Sequence, residues 1–199
     1  MTTAPELDYQ YELLELPPRK PRVLIIGPSG GGKTTAGEML CKAMRTHGPA
    51  DTSTILMLEF AEDEVEPLRG VLSPSVLDTV RTAIHRFLRD HKASLRKELF
   101  DFGNRKKADN PAYYARSAVG MCDVVTGVRT KAELAAARPL FDRVIWVQRA
   151  GFERGETDEI EATDADEQFI GLSLVEMQVA MEQLAQRLRG ERGNNEQAN

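Results

Sequence analysis

Cysteine and histidine are scarce in this chain, and what they would bring is excluded with them. Two cysteines and three histidines in 199 residues do not reach the number or spacing that a disulfide framework or a zinc site needs. Cys41 falls in an expected helix and Cys122 at the head of an expected strand, where both read as small core residues of a reducing compartment. His85 and His91 have no cysteine or carboxylate at metal-ligand spacing. No apolar run approaches the roughly 20 residues that cross a bilayer, and the N-terminus lacks a secretory pattern. The expected location is therefore the cytoplasm, with no membrane partner. Positive charge is outnumbered, for a net charge of −5, so no global basic field holds nucleic acid, although a local patch is not excluded. There is no internal repeat. What is present is a 41% hydrophobic share, enough for a real core, and a length suited to one α/β domain.

Glycine concentrates in one place. The stretch Gly27-Pro28-Ser29-Gly30-Gly31-Gly32-Lys33-Thr34 follows the apolar run Arg22-Val23-Leu24-Ile25-Ile26, which reads as a buried strand. It precedes Thr35 to Met44, where Ala36, Met39, Leu40, Ala43 and Met44 recur at helical spacing. Strand, glycine-rich turn and helix are the context that a GxxxxGK[ST] phosphate loop requires. The glycines let backbone N–H groups wrap an anion, and the new helix adds its positive dipole end. Lys33 is expected to reach the outer phosphates and the Thr34 hydroxyl to sit on Mg²⁺. Gly27, Ser29, Gly30, Gly31, Gly32, Lys33, Thr34 and Thr35 are thus the expected binding residues for a nucleoside triphosphate.

Along the rest of the chain, Thr54 to Phe60 reads as a second strand after a polar turn at His47 to Ser53. An acidic cluster (Glu59, Glu62, Asp63, Glu64, Glu66) follows. Ser73-Pro74 opens a long helix with an apolar face from Val76 to Leu95. In Arg96 to Arg116, Phe100 and Phe102 stand among basic residues, Gly103-Asn104 reads as a turn, and Asn110-Pro111 caps a helix ending at Gly120. Arginines bracketing a turn suggest a second anion site. Cys122 to Thr126 is the third strand, followed by Gly127-Val128-Arg129 and a Thr130/Glu133 capping box. Arg143 to Gln148 is the fourth, ending at Arg149, and Glu167 to Ile170 a fifth. Ser173 and Glu176 cap a last helix closed by Gly190. Alternating units imply a parallel sheet with helices on both faces and ligands at the carboxyl ends of the strands. The glycine loop, Arg129 and Arg149 all fall on that edge.

No Asn-Lys-x-Asp motif for guanine appears, and the third strand does not end in the acidic residue of an energy-coupling ATPase. A small kinase, working by positioning and by arginine neutralisation, remains. From Val23 to Leu188 the order of motifs resembles the deoxynucleoside monophosphate kinases of tailed bacteriophages. It rests on the phosphate loop; Phe60-Ala61; Arg96…Leu99…Phe102-Gly103-Asn104-Arg105; Val124-Val125-Thr126-Gly127-Val128-Arg129…Glu133; Trp146-Val147…Arg149-Ala150-Gly151; and Glu161…Asp164-Ala165-Asp166.

The resemblance implies a five-stranded parallel P-loop fold, ATP as donor and a (deoxy)nucleoside 5′-monophosphate as acceptor, in the host cytoplasm if phage-encoded. Catalytic roles are expected of Lys33, Arg129 and Arg149, and acceptor contacts of Arg96, Phe102, Arg105 and Arg129. Many members carry Asp-Val-Arg where this chain has Gly127-Val128-Arg129. Asp123 is the expected replacement carboxylate for Mg²⁺ beside Thr34, with Glu59 or Asp63 as alternatives. The expected organisation is a lead-in over 1–21 and a kinase domain over 22–190, with a substrate-covering segment at 96–116 and a short lid at 149–158 that includes Arg154. A disordered tail over 191–199 completes it, and homodimer formation stays open. Two other readings remain: a kinase of hydroxymethyl pyrimidine in DNA, contacting the backbone through Arg105-Lys106-Lys107, and a nucleotide-sensing interaction protein.

Overall fold

The computed structural model describes residues 20–152 and 159–196, with side chains through Glu191. Its centre is β1 (Val23–Ile26), four apolar residues with no exposed surface. A strand buried on both faces must be covered from both sides, and its parallel neighbours need long crossovers to reach it. β1 pairs in parallel with β3 (Val124–Thr126) and β4 (Arg143–Gln148). Outside these lie β2 (Ala50–Asp51), against β3, and β5 (Glu167–Ile170), against β4. The sheet is five-stranded, all parallel, in the order β2-β3-β1-β4-β5.

Alternation along β1 divides the core. Val23 and Ile25 point toward α1 (Lys33–Met44) and α7 (Leu174–Glu196), joining Leu40, Met181 and Leu184. Leu24 and Ile26 face the opposite layer, built from the first turn of α2 (Thr52–Val65), α5 (Tyr113–Val119) and α6 (Lys131–Ala137). Each fully buried Val, Leu or Ile contributes roughly 1.5–3 kcal/mol, so this double burial is what fixes the sheet. A third cluster of Met57, Ala61, Leu88 and Leu99 stacks α3 (Pro74–Asp90) and α4 (Arg96–Lys107) on the outer side of α2.

Three sequence expectations are corrected. Thr54 to Phe60 is helix, not strand: α2 begins at Thr52, and the second strand is only Ala50–Asp51. Leu, Met and Glu are strong helix formers, and Asp51 caps the helix by accepting from the Ser53 N–H at 2.8 Å. Gly103-Asn104 is not a turn but lies inside α4, where Gly103 lets Leu56 approach; a Cβ there would sit 2.6 Å from Leu56 Cδ1. The last helix does not stop at Gly190 but continues to Glu196. α3 ends at Asp90, so Leu95 packs against the third cluster from beyond it. The other strands and both capping boxes lie where the pattern places them. Most of the lead-in (1–19) falls outside the described residues, as does Arg154 of the lid.

Candidate functional site

In this all-parallel sheet the chain leaves the carboxyl edge after every strand, and the segments after β1, β2, β3 and β4 carry the candidate residues. The loop after β1 is bent by Gly27, Gly30 and Gly32, all at positive φ, which L side chains rarely adopt. Close approach reinforces this at Gly27, where a Cβ would run into the Val147 carbonyl of β4. Lys33 folds back across the loop, its Nζ donating to the carbonyl oxygens of Gly27 at 2.7 Å and Pro28 at 2.6 Å. The N-cap of α1 is Gly32, which brings no capping side chain. The first-turn N–H groups have no intrahelical partner and no capping side chain at Gly32, and a helix N-terminus of this kind favours an anion. Ser29, Thr34 and Thr35 are exposed on this rim.

The segment after β4 is tied to that loop. The Arg149 N–H donates to Gly31 O at 3.0 Å. The Arg149 guanidinium lies 4.9 Å from the Phe152 ring centroid, and that ring covers Gly30. Gln148 holds the segment down: its Nε2 donates to Phe152 O at 2.7 Å and its Oε1 accepts from the Trp146 indole at 3.2 Å. Arg149 is therefore tied to the glycine loop that Lys33 folds across.

The second cluster sits across β3 from the first. Asp51 Oδ1 accepts from the Ser53 hydroxyl at 2.6 Å, and Ser53 Oγ accepts from Lys92 Nζ at 2.8 Å. Burial pulls the Lys92 ammonium below the usual lysine range; the Asp51 carboxylate opposes the shift, and Arg129 and Arg96 add to it. Lys92 thus reaches the α2 N-terminus through Ser53, with Asp51, Arg129 and Arg96 near enough to act on its charge. Arg129 follows β3, and its guanidinium does not pair with Glu133 four residues on. The Glu133 carboxylate is taken by Lys107 and by the N–H groups of Arg129 (2.9 Å) and Thr130 (3.4 Å). Among the described residues the Arg129 guanidinium has no salt-bridge partner.

Other sequence candidates fall elsewhere. Arg105 is nine residues beyond Arg96 in α4, about half a turn round the axis and roughly 13 Å along it, so the two do not converge. Arg105 and Lys106 instead flank the buried Phe102 ring, which packs edge-on against Phe60 at 5.1 Å. Phe102 is a core residue. Asp123 is corrected as the carboxylate near Thr34: it precedes β3, and its carbonyl accepts from the Val23 N–H at the amino edge of the sheet. Glu59 accepts from the Tyr113 hydroxyl at 2.9 Å, and Asp63 pairs with Lys106 at 3.0 Å. Both lie further along α2, away from the glycine loop.

Asp51 is a carboxylate at the carboxyl edge of the sheet that was not among the sequence candidates, and neither were Ser53 and Lys92. The Asp-x-Ser start of α2 was the available signal. No group of three or more His, Cys, Asp or Glu that could cage a metal occurs among the described residues. A Mg²⁺ carried on phosphates needs no such cage, and a Thr34 hydroxyl with one carboxylate are hard oxygen donors that fit it. Comparison with protein-family models and with curated protein sequences finds no match to this chain.

Proposed function

We propose that the chain is a P-loop kinase that transfers the γ-phosphoryl group of ATP to a (deoxy)nucleoside 5′-monophosphate. The observation that carries this reading is a single sheet edge bearing two cationic clusters. One is a glycine loop with Lys33 and Arg149; the other is Lys92, Arg96 and Arg129 at the head of α2. The first suits a triphosphate: the loop curves inward, and a phosphate oxygen can replace the carbonyls that hold Lys33. The second suits a dianion, since Lys92, Arg96 and Arg129 together outnumber the Asp51 carboxylate that acts on Lys92.

In the reaction an acceptor phosphate oxygen attacks Pγ, the bond from Pγ to the β–γ bridging oxygen breaks, and ADP leaves. That oxygen is already anionic, so no general base is required. The residues have to bring two anions together and hold them in line. Lys33 and Arg149 meet the donor, and Arg129, Arg96 and Lys92 meet the acceptor. Mg²⁺, when bound, neutralises charge on the β- and γ-phosphates. A DNA acceptor is less well supported, because Lys106 and Lys107 are neutralised by Asp63 and Glu133.

Coupled ADP release across the common monophosphates tests the reading. We expect turnover with at least one monophosphate and its loss in Lys33→Met. ADP release that no monophosphate accelerates would contradict it. Arg129→Lys keeps the charge and loses the guanidinium fork. It should raise the acceptor KM and leave the ATP KM near wild type.

A further inference from the structure

One face of α4 differs from the face that packs on α2. Arg96, Phe100, Gly103 and Lys107 recur at i, i+4, i+7 and i+11, a spacing that sets them in one row along the helix. Both ends of the row are tied to the cationic cluster. Lys107 pairs with the Glu133 carboxylate, which also accepts from the Arg129 N–H at 2.9 Å. Arg96 and Arg129 both act on the charge of Lys92. Phe100 lies between these ends, one turn or roughly 6 Å beyond Arg96 along the axis. Its ring is 59% exposed and has no ring or cation–π partner among the described residues. Phe87, also exposed, instead lies against the His91 ring at 4.4 Å. Scattered apolar exposure alone carries no meaning. An open aromatic face between Arg96 and the anchored Lys107 does.

We propose that Phe100 is the platform on which the base of the acceptor nucleotide stacks, while Arg96 and Arg129 hold its phosphate. One helical turn is comparable with the separation of a nucleotide's 5′-phosphate from its base. A phosphate at Arg96 therefore leaves the base within reach of the ring. The contact is made through the π-face, which every base presents. Phe100 thus selects acceptors that carry an aromatic base over phosphorylated sugars that carry none. Phe102 does not share this role, because its ring is buried against Phe60. The inference rests on the reading of Lys92, Arg96 and Arg129 as the acceptor-phosphate site.

The test is steady-state kinetics of the full chain, wild type, Phe100→Ala and Phe100→Trp, across the common nucleoside monophosphates. Ribose 5-phosphate serves as a base-free competitor. Phe100→Ala should raise the acceptor KM about fivefold or more, the loss typical of one aromatic–base stack. It should leave kcat and the ATP KM near wild type, as removal of uniform binding does. Phe100→Trp should hold the acceptor KM at or below the wild-type value. Inhibition by ribose 5-phosphate should be equal in all three chains, since that ligand meets only the cations. Truncating an exposed ring should leave Tm unchanged, whereas a merely structural role would lower Tm and weaken both ligands together. An acceptor KM unchanged in Phe100→Ala, or ribose 5-phosphate weakened as much as the nucleotide, overturns this inference and leaves the kinase reading standing. No acceptor-dependent turnover by the wild-type chain removes the kinase reading and this inference with it.

Discussion

Lys92 is half-buried, its ammonium donates to Ser53, and burial lowers its affinity for a proton with Arg129 and Arg96 nearby. Because burial penalises the charged form, the folded chain binds that proton more weakly than the unfolded chain does. Stability should then rise with pH between the lowered value and the ordinary lysine value, and at neutral pH the charge destabilises the fold. We expect Lys92→Met to raise Tm, by about 2–4 °C for each kcal/mol recovered, and to raise the acceptor KM. A lower Tm would show instead that the bond to Ser53 outweighs the desolvation. Lys33 is different in kind, since in the proposed reaction its ammonium would meet charge that develops during transfer. Lys33→Met should cost about 10²–10³ in turnover with circular dichroism unchanged. A folded variant keeping more than a tenth of wild-type turnover would remove Lys33 from the reaction.

Between residues and the whole molecule stand the elements that carry these side chains. α6 starts with a full capping box: the Glu133 N–H donates to Thr130 Oγ1 at 3.1 Å, and Glu133 returns to the Thr130 N–H. The same carboxylate holds the Arg129 N–H and pairs with Lys107 of α4. Thr130→Ala should cost about 1 kcal/mol, read as a fall in Tm, and should raise the acceptor KM by loosening Arg129. A stability loss with no change in KM would mean that the cap holds the helix but not the arginine. This box was legible because its two residues are only three apart in sequence, as were β1, β4 and β5, whose apolar or alternating patterns are local. α2 was not legible: Ile55, Leu56, Met57 and Leu58 form a short apolar run, and such a run does not distinguish strand from buried helix. That one misassignment hid Asp51, since a two-residue strand has no periodicity to read. It also hid Ser53 and, through it, Lys92, which only the packing of α3 against α2 brings to the site. Gly103 reads as a turn until Leu56 is seen against it.

The whole molecule is acidic, with a net charge of −5, and its cationic groups work locally rather than by long-range steering. Activity should therefore fall only gently with salt, since clustered charges act within about 8 Å at physiological ionic strength. A DNA backbone acceptor would instead give a steep slope from counterion release. The strand order gathers the ends of β1 and β4 on one side of the site and those of β2 and β3 on the other. The central claim is that these two sides hold a donor and an acceptor phosphate in line. It is tested most directly by following ³¹P resonances in a mixture of the full chain, Mg²⁺, ATP and a panel of nucleoside monophosphates. The account predicts that the monophosphate signal of at least one acceptor is replaced by the paired doublets of its diphosphate, matched by ADP and with little inorganic phosphate. ATP consumed to inorganic phosphate alone, or left intact in the presence of every monophosphate, would contradict it.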